Sequence, residues 1–275
     1  MNSTQEKLRR RARSLPGVNA VGALLRPAPA KPDSTAEPDT TAKPDAATSN
    51  TVATDQPPSE QPPAKRKRRP FPGSATFWEQ RYATGGISGR GSRGPLAEYK
   101  ANFLNEFIAD NNVTSITELG CGDGVQIGMG KYPEYVGMDV SPTAVRTCVS
   151  QFADDPTKTF LVYHSGAFAD PLKRLQSDAS MSLDVLFHLI EDEVWEAYLR
   201  DLFSLARRFV IIYASDDRPD SRNRAIIRRP FTKWVEDNIS GWKLHERVEN
   251  PYRGTDDPAT KTYSDFFIYV PSDAP

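Results

Sequence analysis

A glycine-rich turn and a later acid have the spacing of residues that bind a nucleoside. The turn, residues 118–124, reads ELGCGDG, and Asp139 lies 21 residues beyond Glu118. Glycines that follow a buried strand let the backbone approach a ligand closely, because no Cβ stands in the way. An acid at the end of the next strand can accept hydrogen bonds from both hydroxyls of a ribose. The pattern predicts a ligand crevice formed by Glu118, Gly120, Cys121, Gly122 and Asp139.

An acid and a histidine follow the fourth predicted strand, where open parallel sheets bind their ligands. Asp184 and His188 stand four residues apart in the segment DVLFH. Histidine has the pKa needed to remove a proton from a hydroxyl group near neutral pH. Asp184 and His188 are therefore the candidate catalytic residues. A histidine at this place can equally cap or pack the start of a helix, so both interpretations of His188 stay open.

The order of strand, glycine turn, helix, strand and acid resembles the first two motifs of class I S-adenosylmethionine-dependent methyltransferases. The glycines alternate with other residues in GCGDG, unlike the G-x-G-x-x-G of enzymes that bind a pyrophosphate on a helix N-terminus. The resemblance implies S-adenosyl-L-methionine as the cofactor and methyl transfer as the reaction. Some metal-assisted members have a carboxylate just before the histidine. Phe187 stands there, so no metal is expected. The alternative is the same fold with an unrelated ligand.

Further segments resemble a little-characterised bacterial subgroup of these methyltransferases. They are residues 78–101, 182–189 and 264–269. Some members of the subgroup look associated with glycan assembly, which makes a hydroxyl of a small molecule or a glycan the expected acceptor. A nucleic-acid or protein methyltransferase, and a module that binds without turnover, are the alternatives.

Hydrophobic periodicity predicts the elements that must position these residues. Strands are expected at 115–119, 135–139, 159–163, 179–182 and 209–213, and a closing antiparallel pair at 243–248 and 265–270. Apolar residues at helical spacing predict helices at 95–109, around Trp195–Ala206 and at 232–238. This alternation predicts an α/β fold with a doubly wound, Rossmann-like sheet of seven strands and an antiparallel terminal hairpin.

Composition divides the chain near Phe71. No aromatic residue precedes Phe71, and 12 of the 23 prolines lie in the first 72 residues. A segment so poor in large apolar groups cannot bury enough surface to offset its ordering entropy. We therefore expect residues 1–70 to be a disordered, Pro/Ala-rich tail and linker, and residues 71–275 to be one methyltransferase domain.

The predicted tail is basic, with 13 Lys or Arg against seven Asp or Glu, although the whole chain has a net charge of −1. The basic run at 65–69 could bind nucleic acid, but a solvated linker end is favoured. The first 26 residues could make a weak contact with a membrane or a partner. No apolar run reaches transmembrane length.

Two cysteines without zinc spacing favour a reducing, cytoplasmic setting.

Three loops carry further candidate residues. The segment 85–94 matches G-x-G-x-x-G, but no apolar strand precedes it, so it is either a lid over the cofactor or a disordered connector. As a lid, it could bring Arg81, Arg90, Arg93 or Lys100 near the ligands. The basic residues Arg222, Arg224, Arg228 and Arg229 could face an acidic acceptor, or be a solvated loop. The segment 250–252 is expected to be a turn rather than an amine-methylating motif.

Overall fold

The computed structural model describes residues 71–217 and 225–274. The predicted tail 1–70, with its basic run, lies outside these ranges, and so do the basic residues Arg222 and Arg224. Within them, no helix combines the length and the apolar composition needed to cross a membrane.

Twelve helices and strands make up the described chain. In order, they are α1 Ser74–Ala83, α2 Gly94–Asp110, β1 Ser115–Leu119, β2 Glu134–Asp139, α3 Pro142–Gln151, β3 Lys158–Val162, β4 Ser177–Leu183, α4 Asp192–Ser204, β5 Ala206–Ala214, α5 Phe231–Asn238, β6 Trp242–Val248 and β7 Asp265–Pro271. Short 3₁₀ turns lie at Arg90–Ser92, Ile127–Met129 and Leu186–His188.

The strands form one sheet in the order β3-β2-β1-β4-β5-β7-β6. The first five strands pair in parallel, whereas β7 runs antiparallel to both β5 and β6. The strand order reverses between β1 and β4, and this reversal opens a crevice at the carboxyl ends of the strands. The predicted α/β fold, its seven strands and its antiparallel terminal hairpin are confirmed.

Helices cover both faces of the sheet because its central strands are buried on both sides. Strand β7 shows the two layers. Its Phe266 stacks on Phe103 of α2, with ring centroids 4.1 Å apart, whereas Tyr269 packs edge-on against Phe203 of α4 at 5.1 Å. Residues 266 and 269 point to opposite faces because side chains alternate along a strand. The crevice therefore lies between two packed helical layers that hold its walls in place.

Candidate active site

A cavity of about 220 Å³ lies at the carboxyl ends of the parallel strands. Four of the five residues predicted to bind the cofactor line it, namely Gly120, Cys121, Gly122 and Asp139. Both predicted catalytic residues, Asp184 and His188, also line it. Residues that lie 68 positions apart in sequence, such as Gly120 and His188, thus meet around one space because β1, β2 and β4 are neighbours.

Two positions of the turn at this cavity, Gly120 and Gly122, require glycine because of their backbone conformation and because a Cβ would not fit. Gly120 and Gly122 have φ values of 81° and 62°, in the left-handed region that favours glycine. A Cβ at Gly120 would lie 2.4 Å from Val185, and one at Gly122 would lie 2.4 Å from the Ser88 hydroxyl oxygen. Both approaches are closer than any real contact. The turn is therefore packed between the segment after β4 and the segment before α2.

Asp139 ends β2 with its carboxylate at the cavity wall. Its Oδ2 accepts a hydrogen bond of 2.9 Å from the Gly122 N–H, and its Oδ1 accepts one of 2.9 Å from the Ser141 N–H. Burial raises the pKa of Asp139 to about 6, although these two hydrogen bonds lower it. A carboxylate oxygen can accept more than one hydrogen bond, so Asp139 retains capacity for a ligand.

Glu118, the fifth predicted cofactor residue, lies beneath the turn rather than at the cavity. It is buried, and its Oε2 accepts a 2.6 Å hydrogen bond from the Tyr135 hydroxyl. Burial raises the pKa of Glu118 to about 7, although the Tyr135 hydrogen bond and the charge of Lys100 lower it. Glu118 does not line the cavity, so the structure gives it a supporting position under the turn.

Helix α1 covers the cavity and is fastened at two places. Near its start, the Ser74 hydroxyl donates to Glu191 and also lies 3.0 Å from the carbonyl oxygen of His188. One and a half turns later, Glu79 accepts hydrogen bonds from the Ser141 hydroxyl and from the N–H and hydroxyl of Thr143. These contacts attach α1 to the segment after β4 on one side and to the start of α3 on the other.

The glycine-rich segment 85–94 is also attached to the glycine turn. The Ser88 N–H donates to Asp123 at 2.9 Å, and the Asp123 N–H donates back to the Ser88 hydroxyl at the same distance. Arg93 forms an ion pair with Asp123 at 2.9 Å. The segment thus lies against the glycine turn, attached by two hydrogen bonds and an ion pair. Arg93 holds this segment to the turn rather than a ligand.

A second cavity of about 460 Å³ adjoins the first. Residues that line both cavities include Trp78, Asp184 and His188. The second cavity is also lined by Arg81 and Arg90, which were predicted to lie near the ligands, and by residues of the loops after β5 and before β7. The two cavities therefore meet at the pair that the sequence predicted to be catalytic.

Asp184 is held by a buried lysine. Its Oδ2 lies 2.7 Å from the Nζ of Lys100, and its Oδ1 accepts a 3.2 Å hydrogen bond from the Ser264 hydroxyl. Lys100 is 1% exposed, and its ammonium lies 5.1 Å from the centre of the Tyr213 ring. Asp184 has a φ of 61°, an uncommon conformation for a residue other than glycine. Lys100 thus binds Asp184 and does not face a ligand directly.

The hydrogen bond of His188 determines its tautomer. Its Nδ1 lies 3.1 Å from the carbonyl oxygen of Ala225, which can only accept. The neutral ring therefore carries its proton on Nδ1 and its lone pair on Nε2. Burial lowers the pKa of His188 below its usual value, although the Ala225 carbonyl raises it. The edge of the Trp78 ring packs against the imidazole, with centroids 4.9 Å apart. His188 is thus held as a neutral acceptor.

The remaining predicted residues divide between the second cavity and the supporting structure. Arg228 lines the second cavity, whereas Arg229 pairs with Asp192 at 2.6 Å and donates to two backbone carbonyls. Asn250 is buried and holds the turn after β6, as its N–H donates to Asp265 at 3.0 Å. Among the described side chains, no three His, Cys, Asp or Glu come together to form a potential metal site.

No family model and no curated protein matches this chain. Solved structures do match. The N-methyltransferase NodS from Bradyrhizobium japonicum, in complex with S-adenosyl-L-homocysteine, matches with a TM-score of 0.56 and 13% identity over 74% of this chain and 100% of that chain. Magnesium protoporphyrin IX methyltransferase from Synechocystis, with bound S-adenosylmethionine, has a TM-score of 0.50 and 19% identity over 72% and 97%.

A small RNA methyltransferase also matches, with a TM-score of 0.50 and 17% identity over 66% of this chain and 26% of that chain. The protein has the fold of the class I S-adenosylmethionine-dependent methyltransferases, as its sequence motifs predicted. Identities this low establish the fold alone.

Sequence reasoning missed the residues that attach helix α1 beside the first cavity. Ser74 and Glu79 bind partners 117 and 62 residues away, as Ser74 reaches Glu191 and Glu79 reaches Ser141. A signal was present, because Trp78 and Tyr82 put aromatic side chains on a helix too polar to belong to the core. Such a helix indicates a docking surface, and both rings line the first cavity.

Proposed function

We propose that this protein is an S-adenosylmethionine-dependent methyltransferase that methylates a hydroxyl group of a small molecule or a glycan. The observation that carries the proposal is the meeting of two cavities at Asp184 and His188. The first cavity contains the glycine turn and Asp139, and the second opens toward basic loops. Such an arrangement suits the transfer of a group between two ligands held end to end.

The first cavity suits a nucleoside cofactor. Asp139 places a carboxylate where ribose hydroxyls could donate to it, and Val140, Leu183 and Val185 add apolar walls. The glycine turn lies beside this carboxylate and is fixed by the Gly122 N–H. When bound, S-adenosylmethionine supplies an electrophilic methyl group on a sulfonium. The residues that would hold it are Asp139 and the backbone of Gly120–Gly122, while Glu118 supports the turn from below.

His188 is the proposed base for the acceptor hydroxyl. Its Nδ1 proton is engaged with Ala225, so its free lone pair on Nε2 can receive a proton. The lowered pKa keeps the ring neutral at physiological pH, so this lone pair is present in the resting protein. Methyl transfer needs the acceptor oxygen aligned with the donor, and Asp184 is placed to orient it through a hydrogen bond. Both buried cysteines are free thiols, which suits the proposed cytoplasmic setting.

Calorimetry with S-adenosyl-L-homocysteine tests the cofactor assignment. We expect Asp139→Ala to weaken binding by ten- to a hundredfold, since a carboxylate that accepts two hydroxyl hydrogen bonds contributes about 1.5–3 kcal/mol. The exposed Asp154→Ala is the matched control and should bind as the wild type does. Unchanged affinity in a folded Asp139→Ala protein would overturn the assignment. Transfer of a labelled methyl group to a component of a cell extract would separate an enzyme from a module that only binds.

A further inference from the structure

We infer that the acceptor carries an anionic group, a carboxylate or a phosphate, which binds the basic end of the second cavity while its hydroxyl lies at Asp184 and His188. The inference rests on the proposed function, since it names the chemical class of the acceptor. It comes from the charges that surround the second cavity and from the way in which their side chains are held.

Four cations line the second cavity, namely Arg81, Arg90, Arg228 and Lys261. Among the described residues that line it, Asp184 is the single carboxylate, and its charge is paired with Lys100. The surrounding domain has the opposite sign, because residues 71–275 contain 22 Lys or Arg and 29 Asp or Glu. Cations are thus concentrated at one cavity of an acidic domain, and repulsion among them favours an anionic ligand.

Two of the guanidinium groups lie over aromatic rings that hold them in place. The guanidinium carbon of Arg228 lies 4.5 Å from the centre of the Tyr263 ring, and that of Arg81 lies 5.7 Å from the centre of the Trp78 ring. Stacking fixes the plane of a guanidinium and leaves its edge donors available to bind an anion with two hydrogen bonds. Arg81 also donates through Nε to the carbonyl of Ile87, which leaves its terminal nitrogens for a ligand.

The other two cations come from the loops that close the cavity. Lys261 is half-buried, and its ammonium has no hydrogen-bond or ion-pair partner among the described residues. Arg90 donates to the carbonyl of Pro258, so the segment before α2 and the loop before β7 meet at this cavity. An ammonium that has no counter-ion among the described residues can pair with an anion bound beside it.

The positions of these groups set the orientation of the acceptor. Asp184 and His188 line both cavities, whereas Arg228 and Lys261 line the second alone. An acceptor whose anion binds Arg228 and Lys261 would extend its hydroxyl toward His188. Arg228 and Lys261, from two different loops, therefore anchor the acceptor by its charge and place its hydroxyl at the proposed base.

The test is a fluorescence titration of the full chain with S-adenosyl-L-homocysteine present. The probes are inorganic phosphate, glucuronate and, as the neutral match, glucose. The signal is the change in emission of Trp78, the one of the four tryptophans that lines either cavity. The variant is Arg228→Gln with Lys261→Gln, which keeps side chains of similar length. The matched control is Lys131→Gln with Arg174→Gln, two exposed cations that line neither cavity. Thermal melting checks that both variants fold.

We expect at least one anion to bind, and the Arg228/Lys261 variant to lose about tenfold or more in affinity while the control keeps it. Saturation by phosphate alone assigns a phosphate, and saturation by glucuronate alone assigns a carboxylate. If neither anion binds, if glucose binds as tightly, or if both variants behave alike, the inference is overturned. Affinity for S-adenosyl-L-homocysteine, measured on the same samples, reports the proposed function separately. Anion binding without it would leave the anion site standing and remove the methyltransferase assignment.

Discussion

The ammonium of Lys100 on α2 lies 2.7 Å from the carboxylate of Asp184 after β4, and Lys100 is almost completely buried. Helix α2 precedes the sheet in sequence, yet its lysine reaches the junction of the two cavities. Asp184 has a left-handed backbone conformation, and the ion pair balances the charge of its carboxylate. Asp184 and Lys100 thus form an ion pair with no net charge, so Asp184 is not an isolated acid.

Removal of one partner of this ion pair should destabilise the protein strongly, and removal of both partners should destabilise it less. We expect Lys100→Met to lower the free energy of unfolding by about 3 kcal/mol, because it leaves the carboxylate without its buried partner. The double variant Lys100→Met with Asp184→Asn should recover part of this loss. Denaturant unfolding of the two single variants and the double variant gives the coupling. Strictly additive effects would contradict the role given to the pair.

Substitution of His188 should affect turnover but not the binding of the cofactor. Because a general base contributes about 10²–10⁴-fold, we expect His188→Ala to reduce turnover by that order while cofactor affinity stays nearly unchanged. The exposed His245→Ala on β6 is the control and should retain full turnover. Joint loss of cofactor binding and thermal stability would identify His188 as structural. Near-normal turnover in a folded variant would end its candidacy as a base.

The pKa of Asp139 predicts how cofactor binding depends on pH. Burial raises this pKa to about 6 in the free protein, and an ionised carboxylate accepts ribose hydroxyls better than a protonated one. Affinity for S-adenosyl-L-homocysteine should therefore rise as the pH increases through about 6 and level off above it. Binding should release a proton in this range, which calorimetry in buffers of different ionisation enthalpy detects. Asp139→Asn should show a flatter dependence.

The composition of residues 1–70 predicts that they can be removed. We expect the fragment 71–275 to melt within a few degrees of the full chain, because a segment without aromatic residues has little apolar surface to bury. Differential scanning calorimetry of the two proteins makes the comparison. A melting temperature many degrees lower in the fragment would show that the boundary near Phe71 is wrong. RNA binding that disappears with the tail would favour the nucleic-acid alternative.

Local patterns predicted the sheet well. Strand β1 was predicted at its observed bounds, and the predicted starts and ends of the other strands differ by at most three residues. Apolar runs between glycines leave few other assignments for a buried parallel strand. The crevice followed from the same patterns, because strand order alone brings Gly120, Asp139 and Asp184 together.

Contacts between distant segments were beyond sequence reasoning. Nothing near Asp184 in sequence indicates that Lys100, 84 residues earlier, would be its partner. Glu118 was grouped with the cofactor residues by its spacing, but its side chain turns to Tyr135 beneath the turn. Alternation along the strand sets the face of Glu118, but its partner on that face, Tyr135 of β2, comes from another strand and is not indicated by the local sequence.

The two attachments of helix α1 have a kinetic consequence. Residues of α1 form part of the wall of both cavities, so movement of α1 away from Glu191 and Ser141 would widen the opening of the first cavity. In the proposed reaction, such a movement of α1 would hasten departure of the demethylated cofactor. Weakening one attachment, as in Glu79→Gln, would speed release at the cost of affinity.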